Sequence, residues 1–148
     1  MISELNNAYE SSLGMLEDGI RKISEEAWRS GTDDYLIPVR IAYHTLKGLE
    51  WLVNELPADE FKRTRRFNLD WLGPVDGMPG REAMLVEAQW IREQIQAWMG
   101  RWEQIDPSSA ESCQKLEKAL YLLRHTQHHI GEFSIIAHLA QCESPEWN

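Results

Sequence analysis

The segment Met84–Ile105, MLVEAQWIREQIQAWMGRWEQI, carries the pattern that decides the fold. Apolar side chains recur in it at alternating steps of four and three residues, at Met84, Ala88, Ile91, Ile95, Trp98, Trp102 and Ile105. This spacing places them all on one face of an α-helix, and it is typical of the seam of a left-handed helix bundle. The segment therefore predicts a long helix that packs lengthwise against other helices.

Two segments before Met84 also show helical periodicity. In the first, Leu5–Ala27, apolar residues recur at three- and four-residue steps, and the helix is expected to stop at Gly31 and the polar residues that follow it. The second begins at Pro38, which suits the first turn of a helix because its missing N–H is not needed there. This second helix is expected to end before Pro57.

A fourth helix is predicted after Asp106–Pro107. Ser108 and Glu111 form the S-x-x-E of a capping box, and the helical pattern then runs to about Cys142. No stretch of the sequence shows the sustained alternation of a β-strand. The predicted fold class is therefore all-α, a four-helix bundle with a long connection between its second and third helices.

That long connection, Pro57–Gly80, has no sustained period and contains several prolines and glycines. Its large apolar residues argue against disorder, because such side chains tend to pack down; they are Phe61, Phe67, Leu69, Trp71 and Leu72. A connection of this length is typical of a functional loop, here an ordered lid or flap. A plain connection that is pinned by its aromatic residues is an equally open interpretation.

Length and charge limit the classes of function. The chain has 148 residues, which suits one domain over residues 1–148. Its formal net charge is −9, from 15 basic and 24 acidic residues, and this argues against nucleic acid or an anionic membrane as a partner, because phosphate binding depends on clustered Lys and Arg. The one basic cluster, KRTRR at Lys62–Arg66, is short and is interpreted as a solvated loop.

The sequence also favours a cytoplasmic location. The N-terminal MISELNNAYE lacks the basic start and apolar stretch of a signal peptide, and no apolar run reaches the length of a membrane span. Cys113 and Cys142, if they lie on one helix, are roughly 43 Å apart at the α-helical rise, too far for a disulfide.

The stretch RHTQHHIGEF, Arg124–Phe133, contains a cluster of histidines. On a helical wheel, His125 and His129 are four residues apart and share the buried face of the fourth helix. His128 falls nearer the edge of that face. His138 lies on the polar side and is expected to be exposed.

The second helix contributes a further inward histidine, His44, which shares its face with Ile41 and Trp51. Gly48, one turn later, removes a side chain beside it, which suits a bound ion or ligand but also close helix packing. A single buried histidine is most simply a satisfied core residue. A divalent ion would satisfy all three at once, since neutral imidazole is a good ligand for Zn, Ni, Fe or Cu. The residues alone leave metal binding and a plain helix surface equally open.

Several other site signatures are absent. The sequence has no Glu-x-x-His motif of a di-iron protein, no H-E-x-x-H motif and no C-x-x-C-H motif. It also has no glycine-rich phosphate loop and no G-x-S-x-G elbow. The histidines are therefore the main chemical signal in the chain.

These motifs and their order resemble the DinB-like (DinB/YfiT) superfamily. The resemblance is carried by His44 in the second helix and by the run HTQHHIGE, His125–Glu132, in the fourth. The family often has Gln where this chain has Glu132, and the terminal SPEW resembles the family's proline–tryptophan ending. The resemblance covers nearly the whole chain, from the helix order to the long connection and the three histidine positions.

The resemblance implies a four-helix bundle that holds a divalent metal ion on His44, His125 and His129. Zinc or nickel is the expected ion, with iron and manganese as further options. Relatives are described as thiol-dependent S-transferases, as a mycothiol-dependent maleylpyruvate isomerase, or only as metal-dependent hydrolases. The partners it implies are a small-molecule substrate, with a low-molecular-weight thiol as a candidate, and a second copy in a homodimer.

Two residues near the histidines are candidates for further roles. Glu132 lies close to His125 on the wheel and is a candidate catalytic proton acceptor, a candidate partner that orients a ligand histidine, or an ordinary edge carboxylate. His128 is a candidate contact for the substrate or for a dimer mate.

The predicted apolar wall of a substrate pocket consists of Trp51, Phe67 and Trp71, although core packing is the favoured alternative for Trp51. Three protein ligands leave open coordination positions, as in catalytic rather than structural sites, so the first hypothesis is a metal-dependent transferase or hydrolase. The alternative is a non-catalytic dimeric bundle that binds a metal or a small ligand, because no unmistakable nucleophile or second acid–base group accompanies the histidines.

Overall fold

The computed structural model describes residues 1–147, and within this range it is all-helical with no strand. In chain order the helices are α1 (Ile2–Lys22), α2 (Pro38–Asn54), α3 (Ala58–Thr64), α4 (Arg81–Trp102) and α5 (Ala110–Leu139). Single 3₁₀ turns occur at Ala27–Arg29 and Val75–Gly77. The all-α prediction is confirmed. None of the helices in the described range is long and apolar enough to cross a membrane.

The four long helices pack around one core. Helices α1 and α2 each contact both α4 and α5, so they lie at opposite corners of a shared interior. The apolar seam predicted in α4 is buried from Met84 to Trp102, while Ile105 lies beyond the helix end and is only partly buried. The largest fully buried side chains are Trp28, Trp98, Trp102, Tyr9, Tyr43 and Phe133. Each large apolar side chain buried in this way contributes roughly 1.5–3 kcal/mol to stability.

Contacts between helices show that α1 and α5 run in the same direction. The Tyr9 hydroxyl donates to the carbonyl oxygen of Ala119, and further along both helices the Gln127 amide donates to the hydroxyl of Ser12. Positions later in α1 therefore meet positions later in α5.

Two other pairs, α1 with α4 and α2 with α5, run in opposite directions. Glu10 of α1 accepts from Gln96 of α4, whereas Glu17 pairs with Arg92, so α1 and α4 are antiparallel. In the same way Trp51 of α2 meets Lys118 of α5, while His44 meets His125. Helices α2 and α4 must therefore run in the same direction. The chain between them has to return along the length of the molecule, which explains the length of that connection.

The connection between α2 and α4 is folded onto α2. The Tyr43 hydroxyl accepts from the Leu69 N–H at 2.9 Å, Arg40 donates to the Trp71 carbonyl at 2.8 Å, and both side chains are anchored in α2. The connection also contains α3, which sequence periodicity does not indicate. Two of its apolar side chains do not pack as expected, because Phe67 is 51% exposed and Leu72 is 55% exposed.

Two helix ends differ from the sequence prediction. Helix α1 ends at Lys22 rather than near Gly31, because the Ser24 hydroxyl accepts the Ala27 N–H and starts a separate 3₁₀ turn. The capping residue of α5 is Ser109, whose side chain accepts the Ser112 N–H at 3.1 Å. The predicted capping box at Ser108 is therefore wrong.

The C-terminal end of the last helix also comes earlier than predicted. Helix α5 ends at Leu139, short of Cys142. Gln141 adopts a left-handed backbone conformation with φ of 56°, and this conformation stops the helix. Within the described residues, neither Cys113 nor Cys142 forms a disulfide. Cys142 lies beyond the end of α5, so the two cysteines do not share one helix as the sequence argument assumed.

Candidate metal centre

Three histidine side chains from two antiparallel helices meet at one point. The Nε2 atom of His125 lies 3.0 Å from Nε2 of His44 and 3.1 Å from Nε2 of His129. His129 is buried, and the other two are half-buried. The helix wheel predicted this inward set, and the structure brings all three members together.

Gly48 makes room for this arrangement. It lies one turn after His44 on α2 and faces the ring of His125. A Cβ atom at position 48 would be 3.1 Å from both Cε1 and Nδ1 of that ring, which is closer than ordinary van der Waals contact. The glycine therefore allows the His125 ring to lie against the α2 backbone.

The hydrogen bond between His129 and Glu132 determines which ring nitrogen of His129 carries the proton. Nδ1 of His129 lies 2.6 Å from Oε2 of Glu132. A carboxylate only accepts, so Nδ1 is the N–H donor and Nε2 of the neutral ring presents its lone pair to the other histidines. This is the usual arrangement of a metal-binding histidine, whose second nitrogen donates to a carboxylate or carbonyl.

His125 is not satisfied by the protein in either neutral form. Its Nδ1 atom is buried and has no hydrogen-bond partner among the described residues. If Nδ1 carries the proton, the donor is unpaired and two Nε2 lone pairs of His125 and His129 face each other at 3.1 Å. If Nε2 carries the proton, Nδ1 is a buried acceptor without a donor. A cation between the Nε2 atoms removes the lone-pair repulsion.

The spacing of the nitrogen atoms fits a small divalent ion. Ligand nitrogens roughly 2.0–2.1 Å from a zinc-sized ion lie about 3.3 Å apart at tetrahedral angles and about 2.9 Å apart at right angles. The two Nε2–Nε2 separations that His125 makes, 3.0 Å to His44 and 3.1 Å to His129, fall between these values. His44, His125 and His129 therefore fit a divalent ion in donor type, in spacing and in burial.

Burial keeps the three imidazoles in their neutral, metal-binding form. Burial, with smaller effects from the other histidines and Arg65, lowers the pKa of His44 to about 3. Burial also lowers the pKa of His125 to about 4, and it lowers the pKa of His129 against the opposing effect of Glu132. Neutral imidazole is the form that binds a metal, so no proton has to leave these rings at neutral pH.

Aromatic side chains and a fourth histidine surround the cluster. The Trp71 ring stacks on His44 with centroids 4.1 Å apart, and the edge of Tyr35 packs against Trp71. His128 is exposed, and its Nε2 lies 3.1 Å from Oε1 of Glu132. It is therefore at the rim of the site, as the wheel predicted. His138 is exposed and lies outside the cluster.

A cleft of about 210 Å³ opens beside His44 and His125. Its other lining residues are Lys47, Gly48, Trp51, Ala58, Phe61, Lys62, Arg65, Tyr121 and Leu122. Of the side chains predicted to line a substrate pocket, only Trp51 is in the lining of this cleft. Phe67, Trp71 and His128 are not in the lining, because Trp71 covers another face of His44 and the other two are at the surface.

Sequence reasoning missed most of the remaining wall of this cleft. Tyr121 precedes His125 by one helical turn, so the wheel contained a signal for it. Phe61 and Arg65 lie in and just after α3, where the absence of a sustained period concealed which side chains face inward. The KRTRR cluster is also not a purely solvated loop, because Lys62 and Arg65 line the cleft.

Comparison of the chain with protein-family models, with curated proteins and with solved structures finds no match. The resemblance to the DinB-like superfamily therefore rests on the histidine motifs and the helix order alone. The case for a metal ion at this centre rests on the positions of its three histidines.

Proposed function

We propose that this chain is a single DinB-like domain that binds one divalent metal ion on His44, His125 and His129. The observation that carries the proposal is the convergence of the three Nε2 atoms, with the proton of His129 held on the opposite nitrogen by Glu132. Three neutral imidazoles suit zinc or nickel, and iron or manganese are further options, because availability as well as affinity selects the ion.

The proposed architecture is a four-helix bundle made of α1, α2, α4 and α5. The ring of contacts in which α1 and α2 each pack on α4 and α5 supports it. Helix α3 belongs to the connection between α2 and α4 and contributes to the cleft wall rather than to the bundle.

The proposed activity is that of a metal-dependent enzyme, a thiol S-transferase or a hydrolase. Three protein ligands leave coordination positions open, and the adjacent cleft gives a small molecule access to them. When bound, a divalent ion supplies Lewis-acid chemistry, because it favours the deprotonated form of a thiol or water molecule that reaches it.

The chain's own residues orient the site and connect it to solvent. Glu132 is a positioning residue, since its carboxylate accepts from His129 and so aims Nε2 at the other histidines. Oε1 of Glu132 lies beside exposed His128. The hydroxyl of Tyr35 lies 3.5 Å from Oε2 of Glu132. Glu132 therefore links buried His129 to the exposed side chain of His128 through polar contacts.

A homodimer in the cytoplasm completes the proposal. Ile135 and Leu139 are four residues apart on α5 and each is 59% exposed, which supports a contact between two copies on this face. The two cysteines are not joined in a disulfide in the described residues, which suits a cytoplasmic location, where thiols are kept reduced. Light scattering of the protein and of an Ile135→Glu variant tests the dimer. A monomer in both samples contradicts it.

Metal content is the primary test of the site. The protein, a His129→Ala variant and a matched His138→Ala control are purified without chelator and measured by mass spectrometry of the elements. We expect about one divalent ion per chain in the protein and in the control, and loss of the ion in His129→Ala. Metal-free protein, or equal metal in all three samples, contradicts the proposed site.

Activity assays then separate the possible reactions. Metal-loaded protein is incubated with a panel of electrophiles and either glutathione or bacillithiol, and thiol consumption is followed. A panel of esters and amides is tested in parallel for hydrolysis. Turnover that is lost in His129→Ala but kept in His138→Ala identifies the reaction class. Metal binding without turnover in either panel favours the non-catalytic binding bundle.

A further inference from the structure

The charge of the cleft is opposite to the charge of the chain. The chain carries 24 acidic and 15 basic residues, yet no acidic side chain is among the described residues that line the cleft. Three basic side chains are part of that lining, Lys47, Lys62 and Arg65. Since the neighbouring histidines are neutral, the local charge depends on how many of these three cations are already paired.

Lys47 is already neutralised by the protein. Its ammonium lies 2.5 Å from Glu50 and 3.0 Å from Glu87, and it also donates to the carbonyl oxygen of Arg66 at 2.9 Å. An ammonium has three donors, and these contacts use all of them. The side chain of Lys47 is 5% exposed, so it is a structural part of the wall rather than a site for a ligand.

Arg65 and Lys62 retain free positive charge. Arg65 donates from Nε to Asn68 and from Nη2 to the Leu69 carbonyl, contacts that hold its guanidinium in place and leave three of its five donors available. Neither Arg65 nor Lys62 has an acidic partner within residues 1–147. The two are three residues apart, so they lie on the same side of α3 and its end.

The rest of the cleft is apolar. Trp51 and Phe61 form one part of its wall, and Tyr121 and Leu122 from α5 form another. The volume of about 210 Å³ is below the roughly 300–1,000 Å³ that is typical of sites for drug-sized ligands, so the occupant is a small molecule.

We propose that this cleft binds a small organic anion and presents it to the histidine centre. The anionic group, a carboxylate or a phosphate, pairs with Arg65 and Lys62, and the apolar part lies between Trp51 and Tyr121. The inference rests on the proposed function for the role of this anion as substrate. Binding in the cleft itself depends only on the cleft residues.

Calorimetric titration of the metal-loaded protein tests this specificity with three probes of similar apolar character. They are 4-phenylbutyrate, its neutral amide 4-phenylbutanamide, and 3-phenylpropyl phosphate, which all carry the same phenylpropyl group. We expect both anions to bind at least about tenfold more tightly than the amide, because charge-assisted hydrogen bonds to a guanidinium are the stronger ones. The tighter of the two anions identifies the headgroup. Equal affinity for amide and carboxylate overturns the proposal.

Variants locate the binding site. Lys62→Glu is expected to lower the affinity for the preferred anion about tenfold, and Arg65→Gln at least as much, while both leave the amide unchanged. Arg63→Glu is the matched control, since Arg63 lies on α3 with the same charge but is not in the cleft lining. An equal loss in Lys62→Glu and Arg63→Glu would mean that only the overall field of the protein matters, and this overturns the proposal.

The same titrations on His129→Ala distinguish this inference from the proposed metal site. If the His129→Ala variant still binds the anion, and if this binding still depends on Lys62, the result supports anion binding in the cleft. This holds even if no metal ion is found in any sample. One ion per chain together with no preference for the anions overturns the inference and leaves the metal centre standing.

Discussion

Glu132 places its Oε2 atom 2.6 Å from Nδ1 of His129, one turn earlier on the same helix. The carboxylate thus lies behind the histidine and does not reach the point where the Nε2 atoms converge. The hydrogen bond fixes the tautomer and the ring orientation, and it raises the basicity of the nitrogen that would bind an ion. Glu132 therefore acts on the centre through His129.

Removal of this carboxylate should weaken metal binding. We expect Glu132→Ala to lower the affinity for zinc by about 10–100-fold, the usual effect of losing a partner that orients a ligand histidine. Glu132→Gln keeps an oxygen that can accept from Nδ1, so its loss should be smaller. Competition for zinc against a chromophoric chelator measures the affinity of both variants. His128→Ala removes only the exposed partner of Glu132, so its zinc affinity should stay close to that of the parent protein. An unchanged zinc affinity in Glu132→Ala would contradict the role assigned to Glu132.

A methyl group at position 48 should disturb the centre from the opposite side. The added Cβ of Gly48→Ala would lie 3.1 Å from the His125 ring, so the ring has to move away from its neighbours. We expect zinc affinity to fall about tenfold, at the low end of the cost of a misplaced ligand. Gly100→Ala is the control, because nothing lies within 4 Å of its added Cβ; it should raise the unfolding free energy by up to about 1 kcal/mol through helix propensity. Equal zinc affinity in the two variants would contradict the prediction.

The metal-free protein should lose stability in mild acid. The pKa values of His44 and His125 are about 3 and about 4 in the folded chain, against 6.5 for an unperturbed histidine. Between these values the unfolded chain binds more protons than the folded one, so the unfolding free energy decreases as the pH falls below about 6.5. Urea denaturation of chelator-treated protein at pH 7.5, 6 and 5 measures this slope. His44→Phe should flatten it and His138→Ala should not; an unchanged slope in His44→Phe would refute the assignment.

The helices and the inward histidines could be predicted because they depend on local periodicity. The seam from Met84 to Trp102 repeats at steps that bring one face of a helix toward its neighbours. The same wheel places His125 and His129 inward and His128 at the rim, and the structure agrees. The third histidine of the cluster, His44 on α2, could be predicted from the face of its own helix alone.

The wall of the cleft could not be predicted in the same way, because partners distant in sequence determine it. The connection that follows α2 is held by hydrogen bonds from Arg40 and Tyr43 to its backbone, and no local pattern encodes them. These contacts place Trp71 on His44 and leave Phe67 exposed. The early end of α1 has a similar cause, since the hydroxyl of Ser24 competes with helix hydrogen bonding.

The buried ion pairs of Lys47 should be the most sensitive point of this connection. Lys47 and Glu87 are 5% and 3% exposed, and Lys47 also binds Glu50 and the backbone of the connection. Lys47→Ala leaves buried Glu50 without a cation and leaves Glu87 with only the partly exposed Arg66, so we expect the unfolding free energy to fall by about 3–5 kcal/mol. Urea denaturation measures the change, with exposed Lys62→Ala as a control that should stay within about 0.5 kcal/mol. A loss below about 1 kcal/mol in Lys47→Ala would mean that Arg66, which lies 3.2 Å from Glu87, compensates for the missing charge.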